Sequence, residues 1–254
     1  MDRLIFTSNG TINAQALVRT TLVNEMANVS TVGFKRSFDA ALRTVKVEGE
    51  GFDTRYQLQP VTRDIIQMTP GPVMTTGRNL DIAIGGRAVL AVQANGGVQA
   101  YTRRGDLRVN VQGQLETGAG HLVLGQGGPI TVPPGFELRV NADGSIYARD
   151  PAQPGNQAAI FVDRLRLKDS TGTDLGRRED VLYKVAGQPD GADFPNGPEL
   201  PVVVPGALEG SNVNAMEAMT RLIDHSRSFE MQIRMIKETK DLDESGAAMM
   251  RTGT

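Results

Sequence analysis

The sequence predicts an α+β fold, with an antiparallel β-rich middle domain and long N- and C-terminal helices paired in a coiled-coil-like core. Three observations predict it. Apolar residues recur at helical spacing near both ends of the chain. Short runs between those ends alternate apolar and polar residues. Glycines punctuate these runs every 8–12 residues or so, the pattern of an all-β sandwich or barrel.

The first helix carries two apolar stripes on a wheel of about 100° per residue. Ile5, Ile12, Ala16, Val23, Met26 and Ala27 form one, and Leu4, Val18, Leu22 and Val29 form the other. A helix packed on a single partner needs only one stripe. Gly10 weakens the helix locally, and Gly33 ends it. From 34 to 76 the chain reads as an extended connector with short strands, punctuated by Thr69-Pro70-Gly71-Pro72.

Strand signals then dominate. Leu80, Ile82 and Ile84 alternate with smaller or charged residues, and Ala88, Leu90 and Val92 continue after Gly85-Gly86. Leu107, Val109 and Val111 alternate with Arg108 and Asn110. Phe136, Leu138 and Val140 lead through the turn pair Asp143-Gly144 into Ser145-Ile146-Tyr147. Residues 187–201, rich in Pro and Gly, read as an irregular loop returning the chain toward its start.

The last helix opens on Asn214 with Glu217 three residues on, a capping-box spacing. Ala215, Met216, Ala218, Met219, Leu222, Ile223, Phe229, Ile233 and Ile236 fill a stripe about 160° wide, broader than a coiled-coil seam. Met231 and Met235 lie opposite. Methionine adapts to several packings, which suits one sequence meeting non-identical neighbours. At full extent the two helices would measure about 40 and 55 Å. Because the β region joins their inner ends, they are expected to run antiparallel. A two-helix hairpin cannot bury so many stripes, so the remainder needs other chains.

Composition narrows the function. With 27 Lys+Arg against 29 Asp+Glu, the net charge of −2 excludes a generally basic nucleic-acid binder. The chain has no cysteine, hence no disulfide, thiolate metal site or thiol nucleophile, and this suits both the cytosol and export in an unfolded state. The opening MDRLIFTSNG lacks the apolar run of a secretory signal, and runs such as 88–92 are far too short to span a bilayer.

Chemical motifs are sparse. His121 and His225 are far apart and without ligand spacing, and read as structural. Gly125-Gln126-Gly127-Gly128 lacks the Lys-Ser/Thr of a phosphate loop, and Asn141-Ala142-Asp143-Gly144-Ser145 lacks the later Glu of a calcium loop, so both read as turns. Arg104-Gly105-Asp106 spells a tripeptide that some adhesins present to receptors, which keeps a surface adhesin as a competing reading. No nucleophile, acid–base pair, cofactor motif or metal cluster stands out, so an enzyme is not expected.

Four stretches, in chain order, resemble motifs of the flagellar rod and hook axial protein family. Asn24-Glu25-Met26-Ala27-Asn28 followed by Thr31-Val32-Gly33-Phe34-Lys35 resembles the N-x-x-A-N-x-x-T-x-G-F-K/R close of the first helix. Leu80-Asp81-Ile82-Ala83-Ile84 and Tyr101-Thr102-Arg103-Arg104-Gly105 resemble the family's L-D-V-A-I and Y/F-T-R-x-G strands. Leu208-Glu209-Gly210-Ser211-Asn212-Val213 resembles its L-E-x-S-N-V lead into the last helix. The sequence is closest to the proximal-rod type. Its 127–133 segment (GGPITVP) resembles a strand of that type, and the connector SFDAALRTVKVEGEGFDTR lacks the F-E-D-L-L-Y stretch of distal-rod proteins. Asn24-Glu25 where many relatives have paired asparagines, and Val32 where many have Pro or Thr, are departures.

The resemblance implies a structural subunit of the flagellar rod, exported by the flagellar type III apparatus into the basal body within the periplasm and transmitting torque. Other rod proteins and copies of itself would be its partners, with no cofactor, nucleic acid or membrane insertion. Segments 1–33 and 208–254 would form a helical inner tube, 34–76 a connector locking neighbours, and 77–207 an all-β outer domain. The subunit interface would then fall on Ile5, Ile12, Leu22, Val23, Met26, Asn24, Asn28, Gly33, Phe34, Ser211, Asn212, Val213, Met219, Leu222, Ile223, Phe229, Ile233 and Ile236. Gly33 suits a left-handed exit from the helix, Phe34 would anchor it by burial, and the asparagines could bond backbone groups there. A distal-rod or hook-type protein is the alternative within the family.

Overall fold

The computed structural model describes residues 2–37, 41–46, 56–61, 65–133, 135–151 and 159–251. Parts of the expected connector (38–40, 47–55 and 62–64) lie outside the described residues. The chain divides into two compact units. One comprises 1–27, 39–63 and 214–254; the other comprises 28–38 and 64–213.

The first unit holds helix α1 (Asp2–Ala27), the antiparallel hairpin of β1 (Ala41–Lys46) and β2 (Tyr56–Val61), and helix α2 (Ala215–Arg251). Asn214 caps α2, its Oδ1 accepting from the amides of Met216 (2.9 Å) and Glu217 (3.3 Å), two donors that a helix start leaves unpaired. The helices meet side by side and antiparallel through polar contacts. Gln15 donates to Ser228 (3.3 Å), His225 Nε2 lies 3.0 Å from the Gln15 carbonyl, and Arg221 approaches Glu25 at 3.9 Å.

This corrects the expected fold class. Most of the described elements are β-strands, with one helix at each end, and the helices do not pair in a coiled-coil core. Among their described side chains only Leu22, Glu25 and Ala218 are buried, while Met216 is 73% and Ile223 52% exposed. The buried apolar clusters consist entirely of residues from the other unit. The physical reason is legible in the helices themselves. A coiled coil needs a narrow a/d seam, whereas these helices spread their apolar residues widely, and a polar line of Gln15, His225 and Ser228 lies where they touch.

The second unit carries the remaining strands: β3 (Val73–Thr75), β4 (Ile82–Ile84), β5 (Ala88–Gln93), β6 (Gln99–Thr102), β7 (Leu107–Val109), β8 (Leu115–Thr117), β9 (Leu122–Val123), β10 (Glu137–Val140), β11 (Ser145–Arg149), β12 (Ile160–Arg164), β13 (Leu167–Asp169), β14 (Leu175–Arg177), β15 (Tyr183–Val185), β16 (Val203–Pro205) and β17 (Ala207–Glu209). All pair antiparallel. The main sheet runs β14-β15-β6-β5-β9-β8-β7, with β13 also on β5; β10-β11-β12 form a second sheet, and β16-β4 and β17-β3 are two-stranded.

Strand β5 shows why two cores form. Its alternate residues Ala88, Leu90 and Val92 join Ile82, Leu107, Leu115, Val140 and Ile146 on one side. Val89 and Ala91 join Tyr101, Leu175, Tyr183 and Phe194 on the other. A strand whose side chains alternate between two buried faces must be apolar at every position, and 88–92 is. The ring of Tyr101 meets that of Phe194 edge-on at 4.9 Å. The hairpin between β10 and β11 turns on Gly144 at φ +82, with Asp143 accepting from the Ser145 amide at 3.1 Å.

Val181 is the one described non-glycine residue with positive φ (+66). It sits in the turn before β15, where its amide donates to the Arg178 carbonyl at 3.1 Å and Arg178 donates to the Leu182 carbonyl at 2.8 Å. A β-branched side chain in that region is strained by roughly 1–3 kcal/mol, against about 0.5–1 kcal/mol for glycine's extra chain entropy. Because Val181 is 47% exposed, its side chain adds little burial. Val181→Gly should therefore stabilise the protein by about 1 kcal/mol, read as a higher urea midpoint at unchanged slope.

Candidate functional site

Two arrangements collect the residues that the sequence singles out. On the helices, Ile12, Ala16, Val23 and Phe229 line an open groove beside His225. Leu222, Phe229 and Ile236 are half-buried, as are Ile12 and Met26, while Val23, Asn24, Met219, Ile223 and Ile233 are exposed and Leu22 is buried. Ile5 belongs to α1, but its side chain lies outside the described ones. A broad apolar surface along the two helices is thus left open in the single chain.

The second arrangement lies in the β unit, where the chain has just left α1 and where it is about to begin α2. Asn28 and Thr31 bond side chain to side chain at 3.1 Å. Gly33 then adopts φ +68 and donates its amide to the Glu209 carbonyl at 2.7 Å. A Cβ at Gly33 would lie 2.4 Å from the Arg103 carbonyl oxygen, so both the conformation and the close approach require glycine. Phe34, 3% exposed, is covered by the Arg177 guanidinium at 4.4 Å from its ring centre. The Phe34 carbonyl accepts from the Asn212 amide at 3.2 Å, and Asn212 Oδ1 accepts from the Arg36 amide at 2.7 Å. Asn212 Nδ2 also donates to the Gln67 carbonyl at 3.0 Å. Buried Ser211 accepts from the Val213 amide at 3.2 Å, and Val213 is buried beside it.

Beneath this exit lies a buried ion network. The Glu209 carboxylate accepts from Lys35 Nζ at 2.6 Å and the Gly71 amide at 3.0 Å through Oε1, and from Arg103 Nε at 2.7 Å through Oε2. Lys35, Arg103 and Glu209 are 0%, 1% and 2% exposed. Further donors reach backbone carbonyls. Lys35 also donates to the Thr69 carbonyl at 2.7 Å. Arg103 donates to the carbonyls of Gly86 and Ala88, each at 2.8 Å, and to that of Ile84. Tyr183 closes the cluster by donating to the Gly33 carbonyl at 2.9 Å, and Arg177 donates to the Lys35 carbonyl.

Burial and pairing compete at each charge. Burial pushes the Lys35 ammonium down from its usual range, the hydrogen bond to Glu209 opposes this, and the Arg103 charge adds to it. For Glu209, burial favours the neutral acid, but the Arg103 charge and the bonds from Arg103 and Lys35 outweigh it and hold the carboxyl below its usual range. Burial pushes the Tyr183 hydroxyl well up, so it remains a donor.

Lys35, Arg103 and Glu209 were not among the residues that sequence reasoning selected, although all three stand inside quoted motifs. A charge embedded in an otherwise apolar or small-residue motif was the available signal.

The tripeptide Arg104-Gly105-Asp106 is internally satisfied. Arg104 Nε and Nη2 donate to the two Asp106 oxygens at 2.6 and 2.8 Å, which raises the Arg104 pKa. A Cβ on Gly105 would lie 1.8 Å from the Ile82 carbonyl oxygen. An aspartate held by its own arginine is not presented to a receptor, and the adhesin reading loses its contact. His121 is buried with Nδ1 unpartnered, and His225 bonds within the helical unit. Among the described residues no group of three His, Cys, Asp or Glu could hold a metal, and no described helix is long and apolar enough to cross a membrane.

Removing the carboxylate leaves two buried cations facing each other, so Glu209→Gln should cost about 3–5 kcal/mol near neutrality. The Glu209 pKa is lower folded than unfolded. Its ionic contribution is thus complete above the unfolded value of about 4.3 and fades as pH falls through the lower folded value. Urea unfolding from pH 7 to 2 should show the wild-type advantage over Glu209→Gln constant down to about pH 5, then shrinking. A gap independent of pH would remove the network from that role.

Comparisons with known proteins agree with these motifs. Residues 204–249 match the family model described as flagellar basal body rod FlgEFG protein C-terminal, and 83–148 match the flagellar hook protein FlgE/F/G D1 domain. The chain is 40% identical over 250 residues to the flagellar basal-body rod protein FlgF of Escherichia coli strain K12, covering 95% of both chains. It is 41% identical over 243 residues to FlgF of Salmonella typhimurium, covering 93% of both. Identity to the rod protein FlgG of Buchnera aphidicola from Baizongia pistaciae is 28%, over 89% of this chain and 91% of that one. The chain belongs to the FlgF family of flagellar basal-body rod proteins and is a structural rod subunit of the flagellar basal body.

Proposed function

We propose that the chain builds the proximal part of the rod, polymerising with itself and with other rod proteins through its two terminal helices. The observation that carries this reading is the exposed apolar surface of the helices, with Met216, Met219, Ile223 and Ile233 open to solvent in the isolated chain. Burying such side chains against neighbours is worth about 1.5–3 kcal/mol each, and many along a helix give a stiff joint. Stiffness is what a shaft passing torque across the periplasm requires. In this reading the terminal segments form the inner tube, the β region lies outside it, and the connector locks adjacent subunits. Ile5, Ile12, Leu22, Val23, Met26, Leu222, Phe229 and Ile236 join the contact, with Asn24, Asn28, Gly33, Phe34, Ser211, Asn212 and Val213 shaping the helix exits. The subunit reaches its place through the flagellar type III apparatus and works without catalysis. A distal-rod or hook role is not favoured, given the weaker kinship to FlgG.

Leu222→Asp combined with Ile233→Asp places charges where neighbouring helices would bury them. The double variant should be absent from purified basal bodies and its cells non-motile, while circular dichroism shows the β unit still folded. Normal incorporation and motility would sink the assignment of this stripe to subunit contacts.

A further inference from the structure

The exposed face of the β10-β11-β12 sheet carries side chains that neither the fold nor assembly through the helices uses. Glu137 and Arg139 point outward on β10 while Leu138 and Val140 are buried. By register Arg139 stands opposite Tyr147, Tyr147 opposite Phe161, and Glu137 opposite Arg149. Arg139, Tyr147 and Arg149 line an open pocket with Asn79 and Asn141, and with the single carboxylate of Glu137. The Tyr147 and Phe161 rings meet edge-on at 5.8 Å and 72°, and Phe161 is exposed.

Most arginines elsewhere in this unit are occupied. Arg78, Arg104, Arg108, Arg164, Arg166 and Arg178 each reach a carboxylate, and Arg103 and Arg177 hold the helix exit. Among the described residues, no ion pair or hydrogen bond engages the Arg139 or Arg149 side chain, even though Glu137 faces Arg149 in register. Two free guanidinium forks flank one tyrosine, with two free asparagine amides at the margin. That combination matches a particular chemistry. Guanidinium forks take carboxylates in bidentate fashion, an aromatic ring offers a face to the C–H side of a sugar, and amides serve hydroxyl groups.

We propose that this face binds a carboxylated carbohydrate chain, with Arg139 and Arg149 holding its carboxylates and Tyr147 supporting a sugar ring. The site is distinct from the helical assembly surface, and its ligand is recognised by charge together with ring stacking.

Titration calorimetry of the full-length protein with oligogalacturonate tests it, with neutral dextran oligosaccharide and poly-glutamate as comparison probes. Oligogalacturonate should bind, and dextran should bind at least tenfold more weakly. Arg139→Gln, Arg149→Gln and Arg139→Lys should each weaken binding about tenfold, the scale of one charge-assisted bond. Tyr147→Ala should weaken it comparably, and Arg87→Gln, a surface arginine elsewhere in the unit, should not. These arginine substitutions lie on the surface and leave the fold intact. Absence of oligogalacturonate binding would overturn the proposal, as would an equal loss in Arg87→Gln. Poly-glutamate binding as tightly, with no dependence on Tyr147, would also overturn it and reassign the face to an acidic protein.

Discussion

One carboxylate governs the architecture of the β unit. Glu209 sits between Lys35 and Arg103 with all three side chains out of water. Such a group of charges is costly to bury and is tolerated only when its bonds are complete. Here each charge is paired, and the further partners are backbone groups from widely separated segments: Thr69, Gly71, Ile84, Gly86 and Ala88. The network is thus less a source of net stability than a demand for one geometry. It fastens within the β unit both stretches that connect with the helices, 28–37 at one end and 209–213 at the other.

The same demand explains the residues around it. Gly33 must be glycine because its backbone bends left-handed against the Arg103 carbonyl. Phe34 fills the space under Arg177, and Asn212 stitches the incoming chain to Phe34, Arg36 and Gln67. Motifs at positions 24–35, 80–84, 101–105 and 208–213 are far apart in sequence, and three of them meet here: Lys35, Arg103 and Glu209 come one from each. The fourth supplies Ile84, whose carbonyl Arg103 engages.

Much of the β unit was legible in the sequence. Alternation at 80–84, 88–92, 107–111 and 136–140 marks strands that the structure places at 82–84, 88–93, 107–109 and 137–140, and the Asp143-Gly144 turn marks a hairpin that it contains. They were legible because a strand's side-chain period is two and a tight turn needs particular residues. Val111 departed from its run: it stands 97% exposed in the turn after β7, since Gln112-Gly113 turns the chain before the alternation can continue. The width of the apolar stripes on the helices was legible too, and so was the family.

What the sequence by itself determined was local: where several of the strands and turns fall, and that Asn214 caps the last helix. It also determined kinship, because four ordered motifs are specific to one family. Only the tertiary structure decided that Lys35, Arg103 and Glu209 share one buried site, that Arg104 satisfies Asp106, and that the helices touch through Gln15, His225 and Ser228 without a coiled-coil seam. The reason is physical. Periodicity reports which face of an element is apolar, but not what covers it. The partner of a buried charge, 174 residues away in the case of Lys35 and Glu209, is set by packing that no local pattern encodes.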